Sequence, residues 1–303
     1  MLRRKTSRLH LPSRTLVLGE RILVMGVLNV TPDSFSDGGL YARVEAAVAR
    51  AFDIEREGAD ILDIGGESAR PGSEGISAEE ELARVEPVLE ALRGKLTIPI
   101  SIDTQKSVVA LRAALSGAEL INDISALRSD PQLAEVARTH RLPVILMHMR
   151  GTPRNMQKRP FARDVLRDVT AGLRDAVARA RKAGLKRDQI VLDPGIGFGK
   201  SFRQNYELLA HLDQLSRLDY PLLVGTSRKT FIGATLAQSL LPVSGSSSRK
   251  TGEHPIAPPS ERLWGTAATI TAAILGGAHI VRVHDVAEMV QVARTADAVL
   301  GAL

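Results

Sequence analysis

A chain of 303 residues exceeds a minimal domain and falls within the range of one (β/α) barrel. Its composition, 44% hydrophobic and 24% charged, is that of a globular protein, and no apolar run has the length needed to cross a bilayer, so no membrane partner is expected. With no cysteine, disulfides, thiolate metal sites and cysteine nucleophiles are excluded, which fits a cytoplasmic location. The net charge of +6 is unevenly placed: residues 1–14 carry Arg3, Arg4, Lys5, Arg8 and Arg14 and no acid, which leaves +1 for the rest. The basic balance therefore reports an arm, read as a disordered tail over residues 1–14, and gives no support to a nucleic-acid partner.

In chain order, Thr15–Leu28 has a Gly19-Glu20 turn between two apolar runs, which predicts a hairpin plugging the N-terminal mouth of a barrel. From Ile22 onward short apolar runs alternate with longer amphipathic segments, the pattern of repeated βα units around a parallel sheet. Strands are predicted at Ile22–Leu28, Asp60–Ile64, Ile98–Ile102, Glu119–Asn122, Pro143–Met147, Ile190–Leu192, Leu222–Val224 and Ile280–Val283. Helical stretches include Arg43–Glu57, Ala78–Leu92, Ser107–Leu115, Asp164–Ala183, Asn205–Leu215 and Arg262–Leu275. Eight strands close a (β/α)8 barrel, so the predicted fold is α/β, a single-domain TIM barrel over residues 15–303. The Ser-, Gly- and Pro-rich stretch at about 242–259 reads as a flexible insertion in the seventh helical region.

The active site of such a barrel lies at the C-terminal ends of its strands. There the sequence places Asn29 and the loop holding Asp33, then Ser68, Ala69, Arg70 and Pro71, then Asp103, Asn122-Asp123, Met147-His148, Asp193, Ser227-Arg228-Lys229, Arg282 and His284. Each alone has a plain explanation: Asp103 can cap a helix, Asp193 can make a turn with Pro194 and Gly195, and His284 can begin a helix. Together they would crowd unpaired polar groups at one mouth, at about 1–3 kcal/mol each, and that favours a site. Asp103, Asn122 and Asp193 suit the edge of a flat heterocycle, while Arg70, Lys229, Arg282 and His284 suit an anion such as phosphate. The side-chain oxygen of Asn29 can complete a Mg²⁺ shell shared with diphosphate and water.

The run Met25–Gly39 (MGVLNVTPDSFSDGG) resembles the opening signature of the dihydropteroate synthases. The resemblance continues in Gly65–Gly72, Ser101–Thr104, Ile121–Ile124, Leu146–Met149, Leu192–Lys200, Ser227–Lys229 and Val281–Asp285, and so covers the chain from about Thr15 to its end. It implies a barrel that condenses (7,8-dihydropterin-6-yl)methyl diphosphate with 4-aminobenzoate, releasing pyrophosphate, and acts as a homodimer. On this resemblance Asp103, Asn122, Asp193 and Lys229 hold the pterin. Asn29, Arg70, Arg282 and His284 manage the diphosphate and its magnesium, and Phe198, Pro71 and Lys229 border the aminobenzoate. Ser68, Met147 and Ser227 join the substrate-binding set; the catalytic set is Asp33, Arg70, Lys229, Arg282 and His284. The carbon–oxygen bond is expected to break first, so the main task is electrostatic.

Two departures stand out: Ala69 occupies a position where the family commonly has Thr, and the 242–259 insertion is long. Three alternatives are a pterin-binding methyltransferase-like domain, a Schiff-base aldolase on Lys229 and a catalytically degenerate pterin-binding protein. The first has no use for the cationic set Arg70, Lys229, Arg282 and His284.

Overall fold

The computed structural model describes residues 4–31, 40–158, 160, 162–239 and 256–302. A short antiparallel hairpin, β1 (Ser7–His10) and β2 (Thr15–Leu18), precedes eight parallel strands: β3 (Leu23–Asn29), β4 (Ile61–Gly65), β5 (Ile100–Asp103), β6 (Leu120–Asp123), β7 (Val144–Met147), β8 (Ile190–Asp193), β9 (Leu223–Val224) and β10 (Ile280–Val283). Their order, β8-β7-β6-β5-β4-β3-β10-β9, is closed by a parallel bridge from Leu192 to Leu222, giving a TIM barrel. Around it run α1 (Leu40–Arg56), α2 (Ala78–Leu92), α3 (Ser107–Leu115), α4 (Leu133–Thr139), α5 (Val165–Lys182), α6 (Phe202–Ala210), α7 (Leu212–Ser216), α8 (Thr230–Ser239), α9 (Leu263–Leu275) and α10 (Val286–Gly301). All eight barrel strands fall within two residues of their predicted bounds. Among the described residues, no helix is long and apolar enough to cross a membrane.

The period of two along each strand divides the apolar side chains between two cores. Leu62, Ile64, Ile121, Leu146, Leu192 and Val281 face outward and pack under the helices. Met25, Ile61, Leu120, Ile145, Val191, Leu223 and Ile280 face inward and form the barrel's lower interior. That layer is sealed from below by Leu9, Leu11 and Leu18 of the hairpin.

The hairpin therefore plugs the barrel as expected, but its strands are not those read from the sequence. The turn runs from Leu11 to Arg14, closed by a 2.8 Å backbone bond, and the second apolar run of Thr15–Leu28 is the barrel strand β3. Gly19 (φ 98°) redirects the chain from the plug into β3; a Cβ there would lie 2.6 Å from the carbonyl oxygen of Lys5. The expectation of a disordered tail over residues 1–14 is likewise corrected from Arg4 onward. Buried Leu9 and Leu11 alternate with exposed Arg8 and His10, so this basic arm pairs as a strand and anchors its apolar face under the barrel. The 242–259 insertion lies outside the described residues except at 256–259, between α8 and α9.

Leu18→Ala is expected to lower unfolding stability by about 2–5 kcal/mol in urea titration, because it opens a cavity under a sealed layer. A change under about 0.5 kcal/mol, the range of surface substitutions, would show that the plug adds nothing.

Candidate active site

The same alternation that builds the lower core also builds the site. Two residues beyond each inward apolar side chain the next inward position opens at the C-terminal mouth: Ile61 leads to Asp63, Leu120 to Asn122, Ile145 to Met147, Val191 to Asp193 and Ile280 to Arg282. Register aligns them, for Asn29 pairs with Gly65, Gly65 with Asp103, and Asp103 with Asn122 across four neighbouring strands.

At the centre lies a buried ionic network. Arg282 donates from Nε to Asp63 Oδ2 at 2.6 Å and from Nη2 to Asp103 Oδ2 at 2.7 Å. Asn122 donates from Nδ2 to the same Asp63 oxygen at 3.1 Å. Asp63 is fully buried, and its Oδ1 makes no hydrogen bond among the described residues. Asp193 is also buried; its Oδ1 accepts the amide of Gly195 at 2.7 Å, so the turn inferred from sequence and the place at the mouth coexist.

Glycines in the loop after β8 bring the next cation into place. Gly195 (φ 65°) runs so close to His148 that a Cβ would lie 1.9 Å from its carbonyl oxygen, and a Cβ on Gly197 (φ 88°) would lie 2.9 Å from Lys229 Cδ. Lys229 donates to the carbonyl of Ile196, and its Nζ lies 4.7 Å from the centroid of the Phe198 ring. Phe198 and Ala69 pack against an apolar wall of Ile124, Met147, Met149 and Met156. Ser227 Oγ accepts the backbone N–H of His284 at 3.1 Å and lies 3.0 Å from its Nδ1; with its own proton on Nδ1, the ring proton is left on Nε2.

Burial and neighbouring charges set the protonation of this cluster. Burial pushes the Asp103 carboxyl up to about 7 against the pull of Arg282. It also raises Asp193, with Lys229 opposing. Lys229 is lowered by burial to about 8, although Asp193 favours its charge. For Arg282, burial is outweighed by Asp63 and Asp103, which hold the guanidinium above its ordinary value. Burial, with Arg282 and Arg228 nearby, lowers His284 to about 3, so this ring is neutral at pH 7 and offers an anion an N–H rather than a charge.

Other expected residues stand at the rim. Arg70 and Pro71 are exposed in the loop after β4, where Ser68 Oγ accepts the Arg70 amide at 3.4 Å. Gly72 of that loop donates to the Pro153 carbonyl at 2.9 Å, joining it to the loop after β7. Asn29 is half-buried at the end of β3, and Asp33 lies outside the described residues. Two polar strand ends serve structure instead. Asp123 accepts the amides of Ser125 and Leu127, and His148 meets Lys200, whose fully buried Nζ also reaches the carbonyls of Gly195 at 2.9 Å and Phe198 at 3.0 Å.

Asp63 was not among the residues expected from sequence, since it sits inside an apolar run. The available signal was an acid at the inward phase of a strand whose five residues are all buried. Lys200 was read only as the end of a motif; a lysine closing a glycine-rich loop was its signal.

The sequence model described as pterin binding enzyme matches residues 25–284. The dihydropteroate synthase of Synechocystis sp. is 47% identical over 280 residues, covering 92% of this chain and 91% of that protein. Among solved structures, the Yersinia pestis dihydropteroate synthase with a sulfonamide drug superposes with a TM-score of 0.86 at 41% identity, covering 98% of this chain and 100% of that one. The Xanthomonas albilineans dihydropteroate synthase with 4-aminobenzoic acid superposes at 0.85 with 42% identity, covering 98% and 99%. Matches of this length and identity, on a barrel whose mouth gathers the same motifs, establish that the chain belongs to the dihydropteroate synthases of the pterin-binding enzyme family.

Proposed function

We propose that the mouth of this barrel joins (7,8-dihydropterin-6-yl)methyl diphosphate to 4-aminobenzoate. The bond from the methylene carbon to the diphosphate oxygen breaks, a carbon–nitrogen bond to the arylamine forms, the amine loses a proton and pyrophosphate leaves. The observation that carries this reading is the Asp63–Arg282–Asp103 network beside Asn122, with Lys229 bordering the same mouth. A pterin edge presents both donors and acceptors, and Asp103, Asn122, Asp193 and Lys229 offer a matching mixed set. Arg282, Arg70 and the neutral His284 ring take the diphosphate, where fixed donors stabilise charge as it builds on the leaving group. Phe198, Pro71 and the Lys229 stem flank the arylamine, while Ser68, Met147 and Ser227 complete the walls. Asp33 enters on the family resemblance alone.

The residues present fit magnesium that takes most of its shell from diphosphate and water. Asn29 offers one neutral oxygen, and among the described residues no group of three or more His, Asp or Glu side chains could hold a metal alone. Bound there, the ion would neutralise charge on the departing diphosphate. A homodimer and a cytoplasmic location belong to the same proposal. The first is supported by exposed Trp264 on α9 and Phe202 on the neighbouring α6, the second by the cysteine-free chain. Sedimentation of the purified chain as a monomer would remove the dimer from it, and fractionation of cells that recovered the chain outside the cytoplasm would remove the location.

Pyrophosphate release by the purified chain is expected to require both 4-aminobenzoate and magnesium, and to fall about 100-fold or more in Asp193→Ala and Lys229→Ala. Pterin binding without release in the unaltered chain would refute the synthase reading and favour a methyltransferase-like or degenerate protein. A pH profile gives a second test. Because the folded Lys229 pKa, about 8, lies below the ordinary 10.5, the ammonium persists below pH 8 and is lost above it. The cost of burying that charge is accordingly present below pH 8 and relieved as the pH rises toward 10.5. We expect kcat/KM for the diphosphate substrate to fall about tenfold per pH unit above 8, as a single essential proton is lost. A flat profile to pH 10, about two units past that value, would mean that the ammonium is not used.

A further inference from the structure

The opposite, N-terminal face of the barrel holds a cavity of about 790 Å³ beneath the hairpin. Small-molecule pockets run from roughly 300 to 1,000 Å³. Six cations line it, Arg4, Lys5, Arg8, Arg181, Lys186 and Arg187, against two carboxylates, Asp188 and Asp219. Asp219 is already shared by Lys5 at 2.7 Å and Arg187 at 2.5 Å and Arg4 pairs with Asp297, which leaves Arg8, Arg181 and Lys186 without an ion-pair partner among the described residues.

Arg4 is held inside this wall. Its side chain is only 3% exposed; Nη2 pairs with Asp297, yet Nη1, like the buried Oγ of Ser7 beside the same cavity, makes no hydrogen bond among the described residues. That guanidinium is committed to Asp297 and closed off from the cavity, so the cations that can meet a ligand are those on the rim. The arm is fixed rather than loosely laid on the surface. His279 Nδ1 accepts the amide of Leu222 at 3.1 Å, which leaves Nε2–H to donate to the Lys5 carbonyl at 3.1 Å. Leu9, Ile190 and Tyr220 give the cavity an apolar side, and the Arg187 guanidinium stacks 4.4 Å above the Tyr220 ring.

We propose that this cavity is a second binding site, separate from the mouth, for a nucleoside phosphate. Guanidinium forks match phosphate oxygens, the cationic excess suits a multiply charged anion, and the cavity has room for a base beyond the phosphates. Calorimetry on the full chain, with ATP as the probe, tests this beside the double variant Arg8→Ala/Lys186→Ala; both side chains are exposed and lie away from the catalytic mouth. We expect one ATP per chain, a Kd weakened about tenfold or more in the variant, and unchanged kinetic constants for 4-aminobenzoate. Four results would overturn the proposal. These are no ATP binding, equal binding by the variant, displacement of ATP by the substrates of the mouth, and inorganic phosphate binding as tightly as ATP. A DNA duplex binding more tightly than ATP through the same two residues would assign the face to nucleic acid and overturn it too.

Discussion

Arg282 stands at the centre of the barrel mouth because Asp63 meets its Nε at 2.6 Å and Asp103 its Nη2 at 2.7 Å. Asp63 is wholly buried, so removing either member would leave the other charged in a poorly solvated place, a loss of about 3–5 kcal/mol for buried pairs of this kind. The network also fixes Asn122 through Asp63, and burial raises Asp103 against the pull of Arg282. Geometry at the mouth is thus set by the network, and protonation first by burial. In the proposed reaction, a donor held by two acids in this way need not reorganise as charge develops on a leaving group.

What places that network is the pleat of the strands. One inward layer is apolar and sealed by Leu9, Leu11 and Leu18; the next inward layer carries the polar groups of the candidate site. This is why so much of the site was legible in the sequence. Asp103, Asn122, Asp193 and Arg282 each end, or nearly end, a short apolar run, and the eight runs recover the barrel. The hairpin was seen but assigned one strand too late, because Thr15–Leu18 is as apolar as the barrel strand that follows and nothing local says which partner it pairs with.

Less legible were groups whose role depends on contacts between distant segments. Asp63 is enclosed by apolar neighbours in sequence, and only the phase of β4 turns it toward Arg282, far along the chain. Lys200 gains its place through the carbonyls of a glycine-rich loop and through His148, a set that composition does not reveal. His284 reads as a cation in sequence, whereas burial beside Arg282 leaves it neutral. The basic arm reads as a tail, yet alternate leucines carry it under the barrel and leave its cations on the rim of a cavity.

A double-mutant cycle on kcat/KM with Asp63→Asn, Arg282→Lys and the pair tests most directly whether Asp63 acts through Arg282. If Asp63 positions Arg282, each single change lowers kcat/KM about 100-fold and the double variant loses less than about tenfold beyond the worse single. Losses that multiply, with the double variant down about 10⁴-fold, would show that the two residues act independently and would contradict the account.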